Sequence, residues 1–420
     1  MKKRLIACAA AVAMLMVPVF AGGSKDDAKA KESDTLRIFN GKVEIDEQLK
    51  AFAAAYSEKT GISVEVESIG GGADIGATLK GYKASDNMPD TFMIAGPADY
   101  ELWKEDMITL DDEPWVKETN AAYTADGHVY GFPYAVEGYG LAYNPDLLAK
   151  AGIDPSTLTT IDAYEAAFKK LDGMKDKLGI DAVVSMAASA SGGMTWVTGL
   201  HNVGIYLSTG LKAGDTSVID AMLDGKVDSD RLAQYADYVK LLFDYSDPVV
   251  LTTGGYDQQV GAFAQGKTVF CHQGNWIDGN LKDATFKAAF APHAFSHEVT
   301  DGIQVGAPSW WCVTKGGNEK AAKDFLTAFA LSDEGRKARI TDMSMISPYT
   351  SDTLKPKTPL SESVQNWVAA GKTYSWEQYK MPDGFGMNTL GPIYELLANG
   401  TITTDQFVQM FTDAVATIAE

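Results

Sequence analysis

Residues 130–148 read YGFPYAVEGYGLAYNPDLL. Aromatic and aliphatic residues broken by glycines make this stretch a strand. Glu137 sits in its middle. A carboxylate there is costly unless it is exposed, paired or bound to something. The stretch therefore marks a sheet edge, a catalytic site or a ligand cleft. Its surroundings decide which.

The chain has 420 residues, of which 45% are apolar and 22% charged. That is an ordinary globular balance, with room for roughly two or three domains of about 150 residues each. Residues 1–21 stand apart. Met1-Lys2-Lys3-Arg4 is a basic start, Leu5 to Phe20 is apolar, and Val19-Phe20-Ala21 precedes Gly22. This pattern is that of a secretory signal peptide, too short for a membrane span. Cys8 lies inside the apolar run and none follows it directly, so no lipid-anchored N-terminus is expected. Residues 22–34 read as a polar, flexible leader.

The formal charge is −20, with 56 acidic and 36 basic residues, and cleavage would bring it to −20 − 3 = −23. Such a surface repels nucleic acid and anionic lipid, which excludes both as partners. The mature chain keeps Cys271 and Cys312. Two cysteines are no disulfide framework, and both a bridge and two buried thiols stay open.

Periodicity sets the fold class. TLRIFN (35–40) is a buried strand. Ile45, Leu49, Phe52 and Tyr56 then fall on one helix face, and Ile62, Val64 and Val66 alternate as in a strand. Strand, helix, strand implies a parallel sheet. Further strands are predicted at DTFMIAG (90–96) and KTVFCHQG (267–274). Helices are predicted around residues 160–174, 229–245, 318–332 and 403–420. Several short strands with many helices predict α/β lobes connected by crossing strands.

Catalytic and metal signatures are weak. SIGGGADIG (68–76) follows a strand, and Gly70 and Gly72 fit a dinucleotide loop, but Ile75 stands where the last glycine belongs. It reads as a Gly-rich turn, with a backbone anion nest as the alternative. His293 and His297 have i, i+4 spacing, but the intervening residues do not follow His-Glu-x-x-His, and Pro292 disfavours a regular helix. No G-x-S-x-G elbow occurs. Tryptophan is more telling. Trp196, Trp276, Trp310 and Trp311 lie beside glycine, proline or serine and polar groups. They read either as core aromatics or as flat faces for a sugar ring flanked by hydrogen-bonding groups.

These segments together resemble the periplasmic solute-binding proteins of ABC importers, in the extracellular solute-binding family 1 that includes maltose-binding protein. The resemblance runs from Thr35 to Glu420. It rests on the opening LRIFNGKVEIDEQLKAFAAAYSEKTGISVEVE, the Pro-Asp strand of ASDNMPDTFMIAG, and the hinge segment GHVYGFPYAVEGYGLAYNPDLL. It also rests on GAFAQGKTVFCHQGNW, APSWWCVTKGGNEKAAKDF and SMISPYTSDTL. The resemblance implies a type II two-lobed α/β fold whose ligand cleft lies between lobes joined by crossing hinge segments, with hinge closure on the ligand. Residues 35–137 and 312–354 would form lobe 1, and 138–311 and 355–420 lobe 2.

The resemblance also implies a binding site. Glu137 would line the cleft floor and accept hydroxyl hydrogen bonds, with Tyr139 on the same strand face. Asn40, Gly41, Lys42 and Glu44 would form the loop that meets sugar hydroxyls. Trp276 would stack on a ring. Trp196 lies in a Thr-Trp element, at most one of Trp310 and Trp311 faces the cleft, and Phe385 or Met387 borders the pocket. Where the maltose-binding member carries a Trp and an Asp-Arg pair, this chain has Ala95, Gly96, Pro97 and Ala98. Gly96 would offer its backbone, and a saccharide other than maltose is implied. The expectation is a periplasmic monomer that binds a mono- or oligosaccharide and delivers it to ABC permease subunits, with no catalysis, cofactor or metal. A polyamine, peptide or phosphorylated polyol on the same fold is the alternative. A secreted carbohydrate-active enzyme is the rival of another class, and would need two cleft carboxylates at fixed separation.

Overall fold

The structure is a computed structural model that describes residues 35–70 and 73–419. The expected signal peptide and leader, with Cys8, and Gly72 lie outside the described residues.

Among the described residues, twelve strands build two sheets. They are β1 (Thr35–Asn40), β2 (Ser63–Ser68), β3 (Thr91–Ile94), β4 (Tyr123–Ala125), β5 (His128–Pro133), β6 (Glu137–Tyr143), β7 (Val184–Ser185), β8 (Phe270–Gly274), β9 (Ala289–Ala291), β10 (Ile303–Gly306), β11 (Trp310–Val313) and β12 (Thr373–Tyr374). The first sheet has the order β2-β1-β3-β11-β5-β4. The second runs β12-β10-β6-β8-β7, with β9 also on β6. β1 pairs in parallel with β2 through α1 (Asp46–Thr60), the right setting for a βαβ unit. Ile45, Leu49, Phe52 and Tyr56 are all buried, as their helical spacing predicts. In the helix Glu319–Leu331, Ala322, Phe325, Leu326 and Phe329 are likewise buried. Each sheet has its own apolar core. Phe325 and Trp311 pack in the first, and Phe270, Tyr235 and Phe407 in the second.

The chain passes between the sheets three times. Residues 134–136 join β5 to β6, residues 307–309 join β10 to β11, and a third passage lies between Met345 and the helix Pro359–Ala369, which packs on β6, β9 and β10. The passages are bonded to one another. The Tyr134 hydroxyl bonds Ser309, the Val136 N–H donates to the Ile346 carbonyl at 2.9 Å, and the Tyr349 hydroxyl donates to the Pro133 carbonyl at 2.7 Å. A lobe boundary at 311/312 falls inside β11, whose four residues all pair with β3.

Cys271 on β8 and Cys312 on β11 are free buried thiols in different sheets. His293 is buried and bonds His272 at 2.9 Å and Tyr238 at 2.8 Å, whereas His297 is exposed and pairs with Asp162. The i, i+4 histidines therefore do not converge. Among the described residues no helix is long and apolar enough to cross a membrane.

Candidate ligand cleft

A cavity of about 720 Å³ opens where the two sheets face each other at the ends of β1, β3 and β8. Carboxyl ends of parallel strands are where α/β folds bind ligands, and this volume lies in the usual range for such pockets.

The first sheet contributes the loop after β1. Asn40 is fully buried there. Its amide donates to the Lys42 carbonyl at 2.7 Å and to Ser68 Oγ at 2.9 Å. Asn40 was expected to meet ligand, but it does not line the cavity; its hydrogen bonds shape the loop instead. Gly41, Lys42 and Glu44, which follow it, do line the cavity. Lys42 Nζ lies 2.6 Å from Glu44 and 2.7 Å from Glu137, with Lys42 only 12% and Glu137 only 7% exposed along their side chains. Burial alone would lower the Lys42 pKa, but Glu137 and Glu44 outweigh it and hold the ammonium well above its ordinary range. Burial pushes the Glu137 carboxyl up, and Lys42 offsets part of that rise. The charge in the opening stretch is thus buried, paired and at the cavity wall.

Gly96 lines the cavity just before α3 (Pro97–Trp103). A Cβ there would fall 2.5 Å from the Tyr379 carbonyl, so only glycine permits this close approach of the two lobes.

The second sheet contributes an aromatic wall. Trp276 lines the cavity just after β8. Its ring folds back over Gly274, where a Cβ would lie 2.1 Å from the indole. Its N–H is tied to Gln273 Oε1 at 2.8 Å, which fixes the ring plane. Trp196, His201, Tyr256 and Trp376 also line the cavity. His201 packs on Trp276 with ring centroids 4.9 Å apart, and burial first, then His272 and Lys42, lower its pKa to about 3. It is neutral. Trp196 and His201 meet one cavity because residues 197–202 form a π-helix, in which positions five apart share a face. The indole nitrogens of Trp196 and Trp376 and Nδ1 of His201 are buried without a hydrogen-bond partner among the described residues.

Besides Asn40, four expected residues do not line the cavity. Tyr139 is fully buried two residues deeper along β6, under His201 and Trp376. Trp311 packs between Phe132 and Tyr134 in the first core. Trp310 donates to the Ala121 carbonyl at 2.6 Å and packs on Tyr123. Both faces of β11 are therefore packed against other residues, and neither tryptophan lines the cavity. Phe385 is buried in the second core, and Met387 lines the cavity instead. His201, Tyr256, Trp376 and Tyr379 were not anticipated. Trp376 stands in TYSWEQYKMP, just before the Met-Pro segment, where an aromatic in a loop was a usable signal.

Known proteins match this architecture. A family model described as bacterial extracellular solute-binding protein matches residues 51–372. An uncharacterised ABC transporter extracellular-binding protein of Pyrococcus horikoshii is 24% identical over 239 residues, 52% of this chain; the match spans about half of that relative's length. A Bacillus licheniformis sugar transporter solved with stachyose superposes with a TM-score of 0.72 at 20% identity, covering 91% of this chain and all of that one. A chitin oligosaccharide binding protein gives 0.73 at 17% identity, covering 92% and 98%. A Bacillus subtilis binding protein in an open conformation gives 0.71 at 18% identity, covering 92% and 97%. The fold is the two-lobed α/β architecture of these binding proteins, and the chain belongs to the bacterial extracellular solute-binding protein family.

Proposed function

We propose that the protein is the substrate-binding component of an ABC importer. It captures a mono- or oligosaccharide outside the cytoplasm and hands it to membrane-spanning permease subunits, as a monomer and without catalysis. One observation carries the saccharide reading: an aromatic wall of Trp196, Trp276 and Trp376 lines the same cavity as the Lys42–Glu137–Glu44 cluster. Sugars present apolar C–H faces and hydroxyl rims, and such a site matches both. The stachyose and chitin oligosaccharide proteins with this fold support the same substrate class. The basic-then-apolar residues 1–21 support export to the periplasm.

Calorimetric titration of the chain from residue 22 with mono- and oligosaccharides tests this. Saturable binding by one saccharide group is expected. Saturation only by a polyamine or a peptide would overturn it.

A further inference from the structure

We propose that this cleft is built against anionic ligands: it selects neutral or amine-bearing saccharides and excludes uronic acids and sugar or polyol phosphates. This rests on the saccharide reading above and narrows its substrate class.

Among the described residues, the cavity is lined by two cations, Lys42 and Lys80, and by no arginine. Six carboxylates line it: Glu44, Asp74, Asp99, Glu137, Asp257 and Asp383. Both cations are already committed. Lys42 is shared by Glu44 and Glu137 at 2.6 and 2.7 Å, and Lys80 pairs with Asp383 at 3.0 Å. Two backbone donors at the cavity are committed as well. Asp74 accepts the Ala77 N–H at the start of α2 (Ile75–Ala84), and Asp99 accepts the Ala95 N–H, both within 2.8 Å. An entering carboxylate or phosphate would have to displace a protein carboxylate at each of these places. Its charge would also add to a surplus of negative charge at the cavity, where the repulsion is least screened by water at the buried Glu137 and half-buried Asp99.

The Lys80 ammonium is raised first by Asp383, with Asp74 and Asp99 adding to it. The Asp99 carboxyl is raised by burial, only partly offset by its hydrogen bond from Ala95. An ammonium on a ligand would relieve Asp99, whereas a second anion would not. The paired state of Lys42 also matters for amines: two carboxylates outweigh its single charge, so it is no barrier to a cationic sugar.

The test is a thermal-shift series on the chain from residue 22, at constant ionic strength. The probes are stachyose and chitin dimer (neutral), chitosan dimer (ammonium), digalacturonate and glycerol 3-phosphate (anionic), and sodium sulfate against sodium chloride. Wild type should shift saturably only with neutral or amine-bearing probes, and sulfate should give only the unsaturable rise that its exclusion from protein surfaces gives any fold. Glu44→Gln/Glu137→Gln frees Lys42, and Asp383→Asn frees Lys80 at an exposed site that folding does not need. At least one of these variants should gain a sulfate-dependent shift. A saturable wild-type shift with digalacturonate, glycerol 3-phosphate or sulfate overturns the inference, as does the absence of any saturable gain in both variants. No shift with any saccharide overturns the proposed function instead, and the sulfate comparison still decides the charge selection.

Discussion

Replacing Lys42 by Met tests the ion cluster at the centre of the cleft. The substitution keeps the volume and removes the cation bonded to both Glu137 and Glu44. Stripping one partner from a buried pair costs about 3–5 kcal/mol, because the remaining charge stays buried. Two features place the cost at about 3 kcal/mol. Glu44 is 27% exposed along its side chain and keeps some water. Glu137, already pushed upward by burial, can take a proton. A folded region of roughly 390 residues unfolds with an entropy of about 0.8 kcal/mol/K, so the melting temperature should fall by about 4 °C. Lys42→Met/Glu137→Gln should recover part of that loss, since it removes the orphaned charge. The pH dependence has a definite sign. Without Lys42 the folded-state pKa of Glu137 rises further above its unfolded value. A raised pKa gives stability that is lost as pH rises through it, so the deficit should shrink between pH 7 and pH 5. Scanning calorimetry of the ligand-free protein at both pH values reads all three effects. An unchanged melting temperature in Lys42→Met, or a double variant less stable than the single one, would refute the reasoning.

Three further outcomes follow from the geometry. Trp276→Ala should weaken saccharide binding by about 1–3 kcal/mol through lost aromatic burial while the fold is retained; calorimetric titration beside a circular dichroism check reads this, and unchanged affinity contradicts it. Gly199→Ala should destabilise by about 1–3 kcal/mol or fail to fold, because its Cβ would lie 2.0 Å from the Gly386 carbonyl, which backbone cannot yield; Gly261→Ala, whose nearest neighbour is 3.9 Å away, should be neutral or slightly stabilising in the same urea titration. Burial lowers His201 to about 3 and His272 to about 4, and drives His293 well down. Their depressed folded-state pKa values give stability that is present above about pH 6.5 and lost as pH falls from there. Each contributes about 1.4 kcal/mol per pH unit, reduced by proton uptake at raised carboxyls such as Asp99 and Asp278. The urea midpoint should therefore fall between pH 7.5 and 5.5, and a flat profile contradicts the neutral buried histidines.

The sequence showed the alternation of elements because burial imposes a period. Ile45, Leu49, Phe52 and Tyr56 could be read as one face only because one face of α1 meets the core. Glu137 and Trp276 stood out because a charge or a large ring beside glycines has few cheap explanations, whereas Lys42 came only with the family resemblance of the loop after β1. Trp310 and Trp311 misled for the complementary reason. Strand alternation assigns each to a face but does not say that both faces of β11 are covered by Tyr123, Phe132 and Tyr134. Tyr139 shares a strand face with Glu137, yet the cavity ends before it, and depth along a strand leaves no mark in a two-residue period. His201 was hidden by the π-helix, since neither a 3.6-residue nor a two-residue period links it to Trp196.

Saccharide capture in the cleft is tested most directly by a crystal structure of the protein with the sugar selected by titration. The expected result is a sugar ring lying on the face of Trp276, with hydroxyls bonded to the Lys42–Glu137–Glu44 cluster and both lobes in contact with the ligand. Density for the sugar away from this cavity, or a bound sugar that leaves Trp276 and Lys42 untouched, would contradict it.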